Sequence, residues 1–158
     1  YFLYYYLVQG DIMEYEINSD TLAIIPYQKG KSKILELNDE YIVDLTPYQV
    51  IENSCSYYGS SLNGRMNGAR SILGSVYKIP VMVEETNNLI FFPTTAIENE
   101  KNVWIGSNNI LNYEKKGKNT VVEWKNNKKT EFNMPILSIE TQLLRVNKLI
   151  TITKQRKN

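Results

Sequence analysis

The chain has 158 residues, 42% hydrophobic and 22% charged, enough for one domain with its own core and too apolar for wholesale disorder. It contains no histidine, which removes the usual general base, the Ser–His and Cys–His nucleophile pairs and the commonest transition-metal ligand; one cysteine rules out an internal disulfide framework and favours a reducing compartment. The net charge of +1 hides a split, because residues 1–114 carry 7 Lys/Arg against 14 Asp/Glu, a net −7, and residues 115–158 carry 11 against 3, a net +8.

That asymmetry suggests a nucleic acid or acidic surface as partner for the basic end, or two faces that attract each other between subunits. No apolar run approaches the roughly 18 residues that a bilayer requires, so no membrane is expected among the partners. Tyr1 to Val8 is aromatic and apolar, and Met13 follows shortly after. Residues 1–12 are expected to be a non-native or upstream extension of a single domain spanning 13–158, since Met13 stands directly before the region whose family resemblance is given below.

Residues 14–18 and 21–25 read as strands around the turn Asn18-Ser19-Asp20. Thr21 to Ile25 is apolar enough to be buried on both faces, and Pro26, which cannot donate to a ladder, should close that strand or sit on a sheet edge. Further strands are expected at 32–37 and 41–45, separated by polar turns. Short strands at this spacing predict an antiparallel sheet. Thr46-Pro47 marks a helix start, the hydroxyl as N-cap and proline at the first helical position, with Tyr48, Ile51 and Cys55 on one side. Cys55 is expected as a small buried side chain. Of Tyr57 and Tyr58, one is expected in the core and the other is left open.

The stretch from Ser54 to Arg70 is the most informative in the chain. Between Asn53 and Val83 there is no carboxylate, so Arg65, Arg70 and Lys78 have no local anionic partner. Leu62, Met66, Ala69 and Leu73 are spaced four, three and four apart, which predicts a helical face. Gly64 and Gly68 lie inside that helix, and each costs about 1 kcal/mol relative to alanine. Two explanations stay open. The glycines, with Asn63 and Asn67, either form a surface that an outside backbone approaches closely or let a neighbouring element pack tightly.

After it, 76–84 and 88–94 read as strands joined by Glu85-Thr86-Asn87, 95–102 as a polar loop, and Val103-Trp104-Ile105 as buried. Glu84-Glu85 and Asp39-Glu40 are adjacent carboxylates, which a strand would point to opposite sides, so neither makes a catalytic pair. Residues 109–116, 119–125 and 128–134 suggest hairpins, with Asn126-Asn127 as a two-residue turn. Lys115, Lys116, Lys118, Lys125, Lys128 and Lys129 gather at their ends, either as phosphate anchors or as charges that keep a sheet edge soluble. Ser138 is expected to cap a last helix with Glu140 in its first turn. Ile139, Leu143, Val146 and Leu149 or Ile150 form its apolar stripe, with a basic tail beyond it.

Cys55, Tyr57-Tyr58, Gly59-Ser60-Ser61, Gly64-Arg65 and Gly68 together resemble the signature of the ComK family of competence transcription factors. Glu14 to Ile17, Pro80 to Val83, Leu89 to Thr94, Val103 to Ile105 and Glu140 to Leu149 are similar to it in the same order, so the likeness covers roughly residues 13–150. The resemblance implies a cytoplasmic bacterial activator of DNA-uptake genes that binds AT-rich double-stranded DNA as a homo-oligomer, a dimer or tetramer. It also brings in a proteolytic adaptor as a further partner, and family members that continue further at the C-terminus. The expected fold is α+β, mainly antiparallel sheet in a partial barrel or sandwich, with two or three helices. The expected DNA contacts are Asn63, Gly64, Arg65, Asn67, Gly68, Arg70 and Lys78 at a minor groove, with the six hairpin lysines on flanking phosphates. No cofactor, metal or catalytic residue is expected. The alternative is a protein-interaction module that self-associates through its acidic N-terminal and basic C-terminal surfaces.

Overall fold

The computed structural model describes residues 14–158, so the extension expected at residues 1–12 lies outside the described residues. A six-stranded antiparallel sheet is built from β1 (Thr21–Pro26), β2 (Ser32–Glu36), β3 (Glu40–Val43), β4 (Val81–Glu84), β5 (Leu89–Pro93) and β6 (Trp104–Gly106) in the order β3-β2-β1-β6-β5-β4. A second, three-stranded meander holds β7 (Ile110–Lys116), β8 (Asn119–Trp124) and β9 (Lys129–Phe132). The helices are α1 (Pro47–Tyr57), α2 (Leu62–Leu73) and α3 (Ile136–Arg156). This is the expected α+β, mainly antiparallel fold with three helices, as two open sheets rather than a closed barrel.

The large sheet is the middle layer. Successive residues of a strand point to opposite faces, and both faces are apolar here. Ile24, Val81, Val83, Leu89, Phe91 and Trp104 bury against Val50, Ile51 and Cys55 of α1 on one side. Ala23, Met82, Ile90, Phe92 and Ile105 bury on the other, with Trp124 and Phe132 of the meander and Ile139, Val146 and Leu149 of α3. Pro26 closes β1 as expected, since it has no N–H to continue the ladder. α1 begins at the expected cap: Thr46 Oγ1 accepts from Gln49 N at 3.1 Å, and Gln49 Oε1 accepts from Thr46 N at 2.9 Å.

Five local expectations are corrected. Residues 14–18 form no strand, because their backbone is satisfied by side chains: Ile17 N donates to Ser54 Oγ at 3.0 Å, and Tyr58 Oη donates to Ile17 O at 2.6 Å. β4 starts at Val81 rather than Val76, since Lys78 sits at φ 56° and Pro80 has no N–H to pair. The turn after β8 spans 125–128 rather than two residues; only Asn127 has positive φ in it, and Trp124 N donates to Lys128 O at 2.9 Å. Ser138 does not cap α3: the helix starts at Ile136 behind Pro135, and Pro135 O accepts from Ser138 N at 3.0 Å. The tail is not a separate segment, because α3 continues through it to Arg156.

Candidate nucleic-acid interface

α1 and α2 are joined by a tight turn at Gly59, whose φ of +89° suits a residue without a Cβ. Ser61 then caps α2, its Oγ accepting from Gly64 N at 2.9 Å. Leu62 is buried in the cluster that the large sheet forms with α1 and Ala69 in the one it forms with α3, with Met66 and Leu73 half-buried beside them, which is the face expected from the spacing. Gly74, at φ +79°, ends the helix.

The two helix glycines separate the two explanations. A Cβ on Gly64 would come within 3.0 Å of Ser61 Oγ and 3.3 Å of Ser60 Oγ, so that glycine has a reason inside the molecule. A Cβ on Gly68 would meet nothing within 4 Å. Among the described residues no neighbouring element packs there, and the helix carries the cost of Gly68 without a return from them.

The polar side chains of α2 divide into two stripes. Asn63, Asn67 and Arg70, at i, i+4 and i+7, line one exposed side, and Arg70 Nη1 donates to Asn67 Oδ1 at 3.0 Å. Gly64, Gly68 and Ser71 lie beside them. Arg65, five residues before Arg70, is turned about 140° from it around a helix of 3.6 residues per turn, so the two guanidinium groups do not share a side. Arg65 is half-buried, makes no hydrogen bond or ion pair among the described residues, and keeps a buried Nε–H without an acceptor. It lies near the Cys55 thiol, which burial pushes up to about 11; the guanidinium only partly offsets that burial. Cys55 is accordingly a buried thiol rather than a nucleophile at neutral pH.

Lys78 is exposed beyond the end of α2, its backbone O accepting from Gln142 Nε2 of α3 at 2.7 Å. The six meander lysines are all exposed but form no single patch. Lys115, Lys116 and Lys118 sit at the β7–β8 turn and Lys125, Lys128 and Lys129 at the β8–β9 turn, about 17 Å away along β8 at 3.4 Å per residue. Lys116 Nζ lies 3.0 Å from Glu131, whose carboxyl is held below its usual range by the Asn119 amide and by Lys116. The far turn is pinned to the large sheet, Asn126 Nδ2 donating to Leu37 O at 2.6 Å.

A basic wall that the sequence reading missed comes from the end of α3. Arg156 Nη1 donates to Ser71 Oγ at 2.8 Å and its Nη2 to Ser71 O at 3.2 Å, while Lys157 is ion-paired with Glu85. Together with Gly64, Arg65, Gly68 and Ser71, these residues line a groove of about 300 Å³ between α2 and α3. The signal was present as Lys154-Gln155-Arg156-Lys157, but using it required knowing that the helix carries this run back to α2.

The profile of the ComK protein family matches residues 12–158. The chain belongs to the ComK family. It is 31% identical over 146 residues to a protein of Bacillus subtilis (strain 168) described as a competence transcription factor, covering 90% of this chain and 76% of that one. No solved structure matches it. Among the described residues no helix is long and apolar enough to cross a membrane, and no group of three His, Cys, Asp or Glu side chains could hold a metal ion.

Proposed function

We propose that this ComK-family chain is a DNA-binding transcriptional activator of competence genes that recognises AT-rich duplex DNA through the minor groove. The observation that carries the reading is the exposed side of α2, where Arg70 stands with Asn63 and Asn67 beside a glycine that faces open space, in a stretch with no carboxylate between Asn53 and Val83. A helix of roughly 10–12 Å diameter cannot enter a minor groove about 6 Å wide. α2 therefore lies along the groove rim, and only side chains reach in. Arg70, oriented by Asn67, is the inserted cation, and Asn63 and Asn67 offer amides to the A·T acceptors. Narrow A-tract grooves concentrate negative potential, which favours such an insertion over GC-rich sequence. The meander lysines hold flanking phosphates on either side.

The protein acts as a homo-oligomer in this reading. Leu137 and Leu144 stand 73% and 71% exposed, one heptad apart on α3, and Glu140 and Lys148 lie symmetrically about Leu144. An antiparallel pair of α3 helices centred on Leu144 sets that side chain against its copy and each Glu140 opposite a Lys148.

A gel-shift titration with an AT-rich and a GC-rich duplex at two salt concentrations tests the function. Tighter binding to the AT-rich duplex is expected, and Arg70→Ala should erode that preference while leaving the fold intact. Equal affinity of the native chain for both duplexes would refute minor-groove selection, and no affinity for either would refute the DNA reading itself.

A further inference from the structure

We infer that the groove between α2 and the last turn of α3 seats a phosphate of the DNA backbone, with Arg156 and Arg65 as its cations and the Glu85–Lys157 ion pair as a restraint on its entry. This rests on the DNA-binding reading and deepens it, because Arg156 and Lys157 lie far along the sequence from Arg65 and Glu85 and meet them only through the fold.

Three observations point the same way. First, Gly68 opens onto this groove and has no neighbour within 4 Å, which clears the helix surface for a backbone coming from outside. Second, Arg156 is already fixed: its two bonds to Ser71 use two of its five N–H donors and orient the planar group beside Gly68 without neutralising it. A guanidinium held by two bonds and without an ion pair among the described residues suits a phosphate oxygen, since less side-chain freedom remains to be lost. Third, Glu85 is the one carboxylate that lines the groove among the described residues, and it is ion-paired with Lys157. An arriving phosphate would compete with Glu85 for Lys157, so the carboxylate weakens binding and its removal should strengthen it.

Arg156 contacts phosphate rather than base, so its effect should not depend on sequence. One phosphate contact contributes about 0.9 to the slope of log affinity against log salt, which at 0.1 M salt corresponds to about an eight-fold change. Arg156→Ala should therefore weaken AT-rich and GC-rich duplexes alike by about eight-fold and flatten the salt slope by about one, and Arg156→Lys should restore the slope. Glu85→Gln should tighten both duplexes and steepen the slope. Inorganic phosphate, compared with chloride at equal ionic strength, should not displace the duplex selectively.

An unchanged slope in Arg156→Ala, with the native chain still binding DNA, would overturn the phosphate seat and leave the DNA reading standing. Unchanged or weaker binding by Glu85→Gln would overturn the restraint. Selective displacement by inorganic phosphate would make the groove a small-anion site instead. A native chain that binds neither duplex would refute the underlying reading rather than this groove.

Discussion

Replacing Gly68 with alanine should make the protein more stable and a poorer DNA binder. The position lies inside α2, where glycine costs about 0.8–1.0 kcal/mol relative to alanine through backbone entropy. Apart from the backbone of its own helix, an added Cβ meets nothing within 4 Å among the described residues, so no steric cost offsets the gain, and the full increment of about 0.8–1.0 kcal/mol is expected. For a chain of this length that corresponds to a rise in Tm of about 2–4 °C. Urea denaturation followed by far-UV circular dichroism would show the midpoint shifted upward with the slope m unchanged. Gly64→Ala is the internal control. Its Cβ would press to 3.0 Å on the Ser61 capping hydroxyl, so it should gain less or lose stability. In a gel shift, Gly68→Ala should bind DNA more weakly despite being more stable, because the methyl would stand in the path proposed for the phosphate backbone. A lowered urea midpoint would refute the reasoning, since the glycine would then serve packing within the molecule.

Three further outcomes are expected. Lys128→Ala should flatten the salt slope of DNA binding by about one on every sequence; an unchanged slope would make that lysine ordinary surface. Thr46→Ala should cost about 1 kcal/mol through loss of the capping box on α1, read as a lower urea midpoint. The Cys55 thiol, raised from about 9 to about 11 in the folded chain, holds its proton more tightly there than when unfolded. Its contribution to stability is therefore complete below about pH 9 and lost as pH rises toward about 11, at up to about 1.4 kcal/mol per pH unit. The difference between the native chain and Cys55→Ala in urea midpoint should shrink over that interval; a constant difference would contradict the burial.

What the sequence made legible was set by residues a few places apart. Thr46, Pro47 and Gln49 carry the start of α1 within four positions, and Leu62, Met66, Ala69 and Leu73 declare the buried side of α2 by their spacing alone. The errors arise where a distant partner decides. Lys78 takes a left-handed conformation next to a bond from Gln142, 64 residues away, so the strand expected from Val76 starts only at Val81. Ser138 has the chemistry of a cap, but Pro135 supplies the accepting carbonyl and the helix starts before the serine. Ile150-Thr151-Ile152-Thr153 is β-branched and weakly helical by propensity, which hid the extension of α3 and with it Arg156. The angle between Arg65 and Arg70 followed from helix geometry, but only the placement of α3 shows which side each one faces.

The placement of α3 has a consequence for how the molecule comes into being. Lys157 is paired with Glu85 across 72 residues, and Arg156 with Ser71 across 85. At about 5–20 residues per second, ribosomal synthesis leaves α2 without its second wall for about 4–14 s after Glu85 has been added. A nascent chain therefore presents half a groove until the last turn of α3 has been made and has docked against α2.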